Sequence, residues 1–159
     1  MSLYSRRALI CLPLALAACG FTPVYSPGGS GSGLQNRTLV DEPDTENGYL
    51  ITRRIEERLG RAADPGYRLS VDVSTRQESL AVDREGDITR FNVLGTADYT
   101  LIDTASGRIV TSGSVDNFTG YSATGTTVAT IAAEEDAQKR LMVLLADQVI
   151  IRLFSTDLT

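Results

Sequence analysis

Histidine is absent from this 159-residue chain, cysteine occurs twice and lysine once, at Lys139. Without histidine there can be no Ser-His-Asp triad, no Cys-His pair and no histidine-built zinc site. An enzyme made from this inventory would have to run on carboxylates, hydroxyls, arginines or Lys139. Excess basic charge is lacking too. Fifteen lysines and arginines stand against twenty acids, a net of −5, which argues against a general nucleic-acid binder, since that would carry a basic face. After residue 20 no apolar run approaches the roughly 20 residues needed to span a bilayer. No metal or other cofactor is expected.

What is present begins at the N-terminus. Arg6 and Arg7 precede an apolar stretch from Ala8 to Ala18 that ends in small residues, the layout of a secretory signal. Its last residues, Leu16-Ala17-Ala18-Cys19, are similar to a bacterial lipobox. That resemblance implies cleavage between Ala18 and Cys19, and diacylglycerol on the Cys19 thiol. Residues 1–18 are then a lipoprotein signal peptide, and the mature chain has 141 residues, enough for one domain. Loss of Arg6 and Arg7 leaves 13 basic against 20 acidic residues, about −7. Cys11 departs with the signal and Cys19 is blocked by lipid, so no disulfide can form and the domain must rely on its core. Several acyl chains on one residue make a stable anchor, at about 0.8 kcal/mol per buried methylene.

Residues 19–33 comprise the lipidated cysteine and a tether. Ser26 to Gly33 is almost entirely Gly and Ser, and a flexible stretch of that length spans roughly 15 Å. Residues 34–159 form the domain. Leu34 to Val40 is a short candidate strand, and Asp41 to Asn47 a polar loop around Pro43. Ile51, Ile55 and Leu59 recur at helical spacing over Gly48 to Leu59, with Thr45 or Asn47 as cap and Gly60 as stop. Tyr67, Leu69, Val71 and Val73 alternate with polar residues, a strand with one buried face, and Leu80 to Val82 is a candidate extension. A charged turn, Asp83 to Asp87, leads into a long strand from Ile88 to Asp103 with Phe91, Val93, Gly95, Ala97, Tyr99 and Leu101 on one side. Ala105-Ser106-Gly107 turns the chain back into Arg108 to Phe118, and Tyr121 to Thr127 reads as a loop.

A long helix closes the chain, from about Val128 to Phe154, acidic early and basic late as the helix dipole favours. Advancing 100° per residue, Met142, Val143, Leu145, Ala146, Val149, Ile150 and Leu153 cover an arc of about 160°. Ala137, Leu141, Leu144 and Ile151 form a second strip. A helix lying on one sheet needs only about 100°, so this one should meet two surfaces. The favoured arrangement is internal, sheet on one side and first helix on the other; the alternative gives the second strip to a partner protein. The fold expected is a single α+β domain in β-α-β-β-β-α order, with about four strands and two helices packed on one face.

Cys19-Gly20-Phe21-Thr22-Pro23-Val24-Tyr25 resembles the start of the α-proteobacterial LptE lipoproteins of lipopolysaccharide assembly. The resemblance continues at Ile51 to Leu59, at Tyr67 to Val71, at Ala132 to Ala137, and through Arg140-Leu141 and Leu145 to Leu153. It implies a non-enzymatic outer-membrane lipoprotein that plugs the LptD β-barrel, assists its assembly and serves lipopolysaccharide transport to the cell surface. Gly20 fits that destination, since it is not the aspartate that retains enterobacterial lipoproteins in the inner membrane. Two rivals come from other classes. An auxiliary lipoprotein of a lipid-trafficking ABC transporter would share the lipobox and the Asp103 to Gly107 turn; the Phe21 to Tyr25 start and the helix before Tyr67 favour the barrel plug. A hydrolase using Asp83, Glu85 and Asp87 would place its carboxylates in what reads as a solvated hairpin end. Contacts to phosphorylated lipid heads require converging arginines, and the candidates on the sheet and its turns are Arg76, Arg84, Arg90 and Arg108.

Overall fold

The computed structural model describes residues 29–82, 84–156 and 158. Ala18 and Cys19, the Phe21 to Tyr25 start and Asp83 lie outside them. Three helices and four strands follow one another: α1 (Ser30–Leu34), β1 (Thr38–Val40), α2 (Glu46–Leu59), β2 (Tyr67–Val82), β3 (Ile88–Asp103), β4 (Ile109–Ser122) and α3 (Thr127–Phe154). The fold is a single α+β domain, as the sequence reading expects, with the two long helices on one face of a four-stranded mixed sheet.

The sheet is ordered β1-β2-β3-β4. Only β1 runs parallel, pairing Thr38 with Tyr67 and Val40 with Leu69. The long meander is antiparallel: Leu69 lies opposite Leu101, Val73 opposite Ala97 and Ala97 opposite Val115. Alternation puts these residues on the covered face with Tyr99, Val93 and Thr119. The other face carries Ser70, Asp72, Ser74, Thr96, Asp98 and Asp116, as suits a sheet wet on one side, and towards the β2–β3 hairpin the exposed Phe118, Val82 and Ile88. At about 3.3 Å per residue, the sixteen residues of β2 reach roughly 50 Å, so the sheet is long and narrow.

Helix α2 starts at Glu46, two residues earlier than expected. Thr45 is its cap, the hydroxyl accepting from the Gly48 amide at 3.0 Å. The helix buries Ile51, Ile55 and Leu59 and stops at Gly60, whose φ is +77°. A Cβ there would come 2.0 Å from Asn36 Oδ1, so both the turn and the neighbour demand glycine. Helix α3 packs over β3 and β4 and against α2, burying Leu141, Met142, Leu145, Val149, Ile150 and Leu153. Each such side chain removed from water contributes about 1.5–3 kcal/mol. Where α3 passes over Gly95, a Cβ on that glycine would stand 3.0 Å from both Leu141 Cδ2 and Leu145 Cδ1. A larger residue would push the helix off the sheet. The buried hydroxyls are satisfied by carbonyls, Thr119 by Ala137 at 2.8 Å and Thr38 by Leu34 at 3.0 Å.

Four further boundaries differ from the sequence expectation. Residues 30–33, assigned by composition to the tether, form a helical turn with Leu34, which is fully buried at the base of the core. That burial offsets the poor helix propensity of glycine and serine. The first strand consequently shrinks to Thr38–Val40. Strand β2 is continuous to Val82, because β3 pairs with it nearly throughout. Finally, Tyr121 and Ser122 belong to β4 and not to a loop. Tyr121 continues the alternation of Val115 and Thr119, is buried, and stacks on Phe91 with ring centroids 5.4 Å apart.

Candidate functional site

The closing helix divides its second apolar strip between inside and outside. Ala137 and Leu141 are fully buried, whereas Leu144 is 41% and Ile151 65% exposed. Val143, read as part of the first arc, is 40% exposed. The expectation that the whole strip is internal is therefore corrected. Val143 borders α2 beside Leu50, Arg53 and Arg54. The sheet beneath α3 ends at β4, so Leu144 and Ile151, turned past that edge, are left uncovered. There the helix and the free side of β4 enclose a shallow cleft of about 220 Å³ lined by Ser114, Val115, Asp116, Gln148, Ile151 and Arg152. β4 has no further strand beyond it, and β2 none from Ser70 onward, among the described residues. Both edges present unpaired backbone groups, the feature through which sheets add strands.

A larger cleft, about 540 Å³, lies between β1 and α2. Leu39, Pro43 and Tyr49 give it an apolar wall, and Arg53, Arg61 and Arg68 reach into it. Each arginine is closed on a carboxylate: Arg68 on Asp41 at 2.6 Å, Arg61 on Glu56 at 2.9 Å and Arg53 on Glu57 at 3.3 Å. The cleft is thus electrically balanced and offers an incoming anion no spare cation.

The four arginines named from the sequence do not form one cluster. Arg76 is exposed on the open face of the sheet, opposite Leu94, and paired with Glu78 at 3.1 Å. Alternation places Arg90 on that same face, four positions along β3 from Leu94, roughly 13 Å away. Arg84 stands in the β2–β3 turn, so these three share one end of the sheet. Arg108 is in the β3–β4 turn beside Asp103, and Asp103 lies thirteen residues from Arg90 along β3, about 43 Å. Hydrogen bonds from the Ser106 hydroxyl and amide, both 2.7 Å, hold the Asp103 carboxyl below its ordinary range. Glu85 and Asp87 are exposed at the hairpin end. Among the described residues, no cluster of histidine, cysteine and acids could hold a metal, and no helix is long and apolar enough to cross a membrane.

Two arrangements were not legible in sequence. Arg54 of α2 and Asp147 of α3 form a two-pronged ion pair, Nε to Oδ1 at 3.0 Å and Nη2 to Oδ2 at 3.1 Å. Their carriers are ninety-three residues apart, so local spacing could not reveal it. The hydrogen bond to Asp147 raises the pKa of Arg54 above its ordinary value. Both side chains keep about a third of their exposure, so solvent screens the pair. A double-mutant cycle with Arg54→Met and Asp147→Asn, read by urea unfolding, is expected to give a coupling of about 0.5–1 kcal/mol. The second arrangement is the Tyr121 hydroxyl, which accepts from the Gln77 amide. Burial, then nearby Glu134, raises the pKa of that phenol.

Comparison with known proteins follows the fold. Residues 34–153 match the family model described as LptE, lipopolysaccharide-assembly. No curated protein sequence matches. A lipoprotein from Caulobacter crescentus CB15 is similar in structure, with a TM-score of 0.63 at 24% identity, over 79% of this chain and 93% of that one. Rare lipoprotein B from Shewanella oneidensis gives 0.58 at 14% identity over 74% and 92%. A minor lipoprotein from Acinetobacter baumannii gives 0.54 at 15% over 76% and 94%. At these identities the three establish a shared fold.

Proposed function

Because the chain belongs to the LptE family of lipopolysaccharide-assembly proteins, we propose that it is a non-enzymatic outer-membrane lipoprotein, anchored through Cys19, that seats as a plug in the LptD β-barrel and assists its assembly. The observation that carries this reading is the extent of the family match, which runs from the first fully buried side chain among the described residues, Leu34, to the last, Leu153. The matched residues are thus the whole folding unit. Surface chemistry supports a protein that works by fitting against another. Leu144 and Ile151 leave apolar area on α3, and the open sheet face, polar from Ser70 to Ser74, carries exposed Phe118, Val82 and Ile88 towards the β2–β3 hairpin. Arg76, Arg84 and Arg90, at the hairpin end, are the proposed contacts for phosphorylated lipid heads; Arg108 is too distant to join them.

Depletion of the protein tests the reading. The expected result is a misassembled barrel and lipopolysaccharide stalled before the cell surface, while Glu85→Gln or Asp87→Asn changes neither, since no proton transfer depends on those carboxylates. A barrel that assembles and exports normally in depleted cells would overturn it in favour of a transporter auxiliary. Identification of the membrane protein that co-purifies, barrel or transporter, is the direct check.

A further inference from the structure

The cleft between β1 and α2 has a free edge of the sheet for its floor. β1 pairs only with β2 and has no strand beyond it among the described residues. The Arg37 carbonyl accepts from the Tyr67 amide at 3.0 Å, and the Asp41 amide donates to the Leu69 carbonyl at 2.9 Å. Both residues thus turn their peptide groups to β2. Alternation turns those of Val40 the other way, toward the cleft that Val40 lines. Backbone groups so placed call for a partner, and a strand laid along the edge supplies one. Apolar side chains flank the position: Leu39, 45% exposed, on the open face of the sheet, and Tyr49, 56% exposed, on α2. At about 540 Å³ the cleft falls within the roughly 300–1,000 Å³ of pockets that enclose a ligand.

The occupant has to be uncharged, because Arg53, Arg61 and Arg68 are already closed on Glu57, Glu56 and Asp41. Residues 20–29 carry no charge, and among glycine, serine and proline they hold Phe21, Val24 and Tyr25. Such side chains have no use in a flexible tether, which needs only small and polar residues. The chain also arrives at the right place. Gly29 precedes α1 and Asn36 follows it; five helical residues and two extended ones keep them within about 15 Å. The Asn36 amide donates to the Leu59 carbonyl at 2.7 Å, next to Gly60 and Arg61, and Arg61 lines the cleft. The four residues from Tyr25 to Gly29 cover about 14 Å, which brings Tyr25 to the Arg61 end.

We infer that residues 21–25 lie in this cleft as a fifth strand, antiparallel to β1. The connection sets the sense: the segment leaves at the Arg61 end to enter α1, so Tyr25 is at that end and Phe21 at the Pro43 end. Thr22 and Val24 turn their peptide groups to β1. Their side chains share the covered face with Val40, toward α2, as paired residues of an antiparallel ladder do. Phe21, Pro23 and Tyr25 fall on the side of Leu39. Pro23, which has no N–H to donate, keeps its nitrogen on the outer edge, where strands tolerate proline and where it discourages further pairing. Cys19 stands two residues from Phe21 and ten from Gly29. Docking thus shortens the link between lipid and folded chain to at most about 7 Å, and the anchor leaves the domain from one place, the Pro43 end of the cleft. That consequence, and not the docking itself, rests on the reading of Cys19 as the lipidated residue.

The test uses residues 19–159 with Cys19→Ser, a chain left with no native cysteine, so that engineered pairs report contact. Val24→Cys with Thr52→Cys, on the α2 wall of the cleft, is expected to close a disulfide within one chain under mild oxidation. Val24→Cys with Ile109→Cys is expected to close about tenfold more slowly or not at all. Ile109 is 61% exposed and shares a pocket with Leu158, which adjoins Gly33 of α1, so a segment free to wander would reach it as readily. Hydrogen exchange gives a second reading. Phe21→Ser/Val24→Ser is expected to speed exchange of the Val40 amide about tenfold, while the Asp41 amide, bonded to β2, is unchanged. Thermal melts confirm that each variant is folded. Equal rates for the two cysteine pairs, a disulfide that mass shows to join two chains, or Val40 exchange that is the same in parent and variant would each overturn the inference. No lipid and no barrel enters these measurements, so their failure is distinguishable from failure of the proposed function.

Discussion

Leu141→Ala is expected to cost the domain about 2–5 kcal/mol, whereas Leu144→Ala, one turn further along the same helix, is expected to change stability by no more than about 0.5 kcal/mol. Residue type and strip are the same, and the difference lies in what each side chain touches. Leu141 is fully buried, with its Cδ2 over Gly95 on β3. The strand below is fixed on both sides by the β2 and β4 ladders, so it cannot rise to fill the void, and the loss of transfer free energy is joined by the cost of a cavity. Leu144 is 41% exposed, so truncation leaves no cavity, and alanine is the better helix former. Against a total of about 5–15 kcal/mol, the Leu141 variant should lower the melting temperature by on the order of 10 °C. Urea unfolding of the Cys19→Ser mature chain measures both. Equal losses would mean that Leu144 is as enclosed as Leu141.

The contrast between these two leucines marks the limit of what the sequence could convey. Helical periodicity places Leu141 and Leu144 on one strip, since it records only angle about the helix axis. Which part of that strip is covered depends on how many strands lie beneath, and β4 is the last of them. The strands themselves were legible from alternation, because a sheet wet on one face must alternate. For the same reason Ile88 to Asp103 was delimited at both ends, and the β2–β3 register follows from the charged turn between them. Tyr121 was missed because glycine, serine and threonine around it signal a loop, although the alternation that begins at Val115 continues through it. Residues 30–33 were read as tether because composition favours it. Their helix is made by a tertiary contact, the burial of Leu34. The candidate arginines were legible as residues but not as a grouping: Arg84 and Arg108 occupy similar charged turns, and only the antiparallel register shows that those turns lie at opposite ends of the sheet. Arg37 lies over the Tyr67 ring, 5.7 Å from its centroid, a placement that no sequence signal announces and that the short parallel strand creates.

Made in excess over the barrel it is proposed to plug, the Cys19→Ser protein is expected to move from the membrane fraction to the soluble periplasm, or to remain as uncleaved precursor. Serine offers no thiol for the diacylglyceryl transfer that the Leu16 to Cys19 sequence would direct. The effect should be close to all-or-none, because a single acyl chain gives only marginal binding and each further buried methylene adds about 0.8 kcal/mol. Two or three chains on one residue therefore hold the protein by many orders of magnitude. Incorporation of labelled palmitate, with phase partition in detergent, reads the outcome directly. A Ser variant that still takes up label and partitions with detergent would place the anchor on another residue. A Ser variant that takes up no label yet stays with the membrane would be held by the barrel it is proposed to plug.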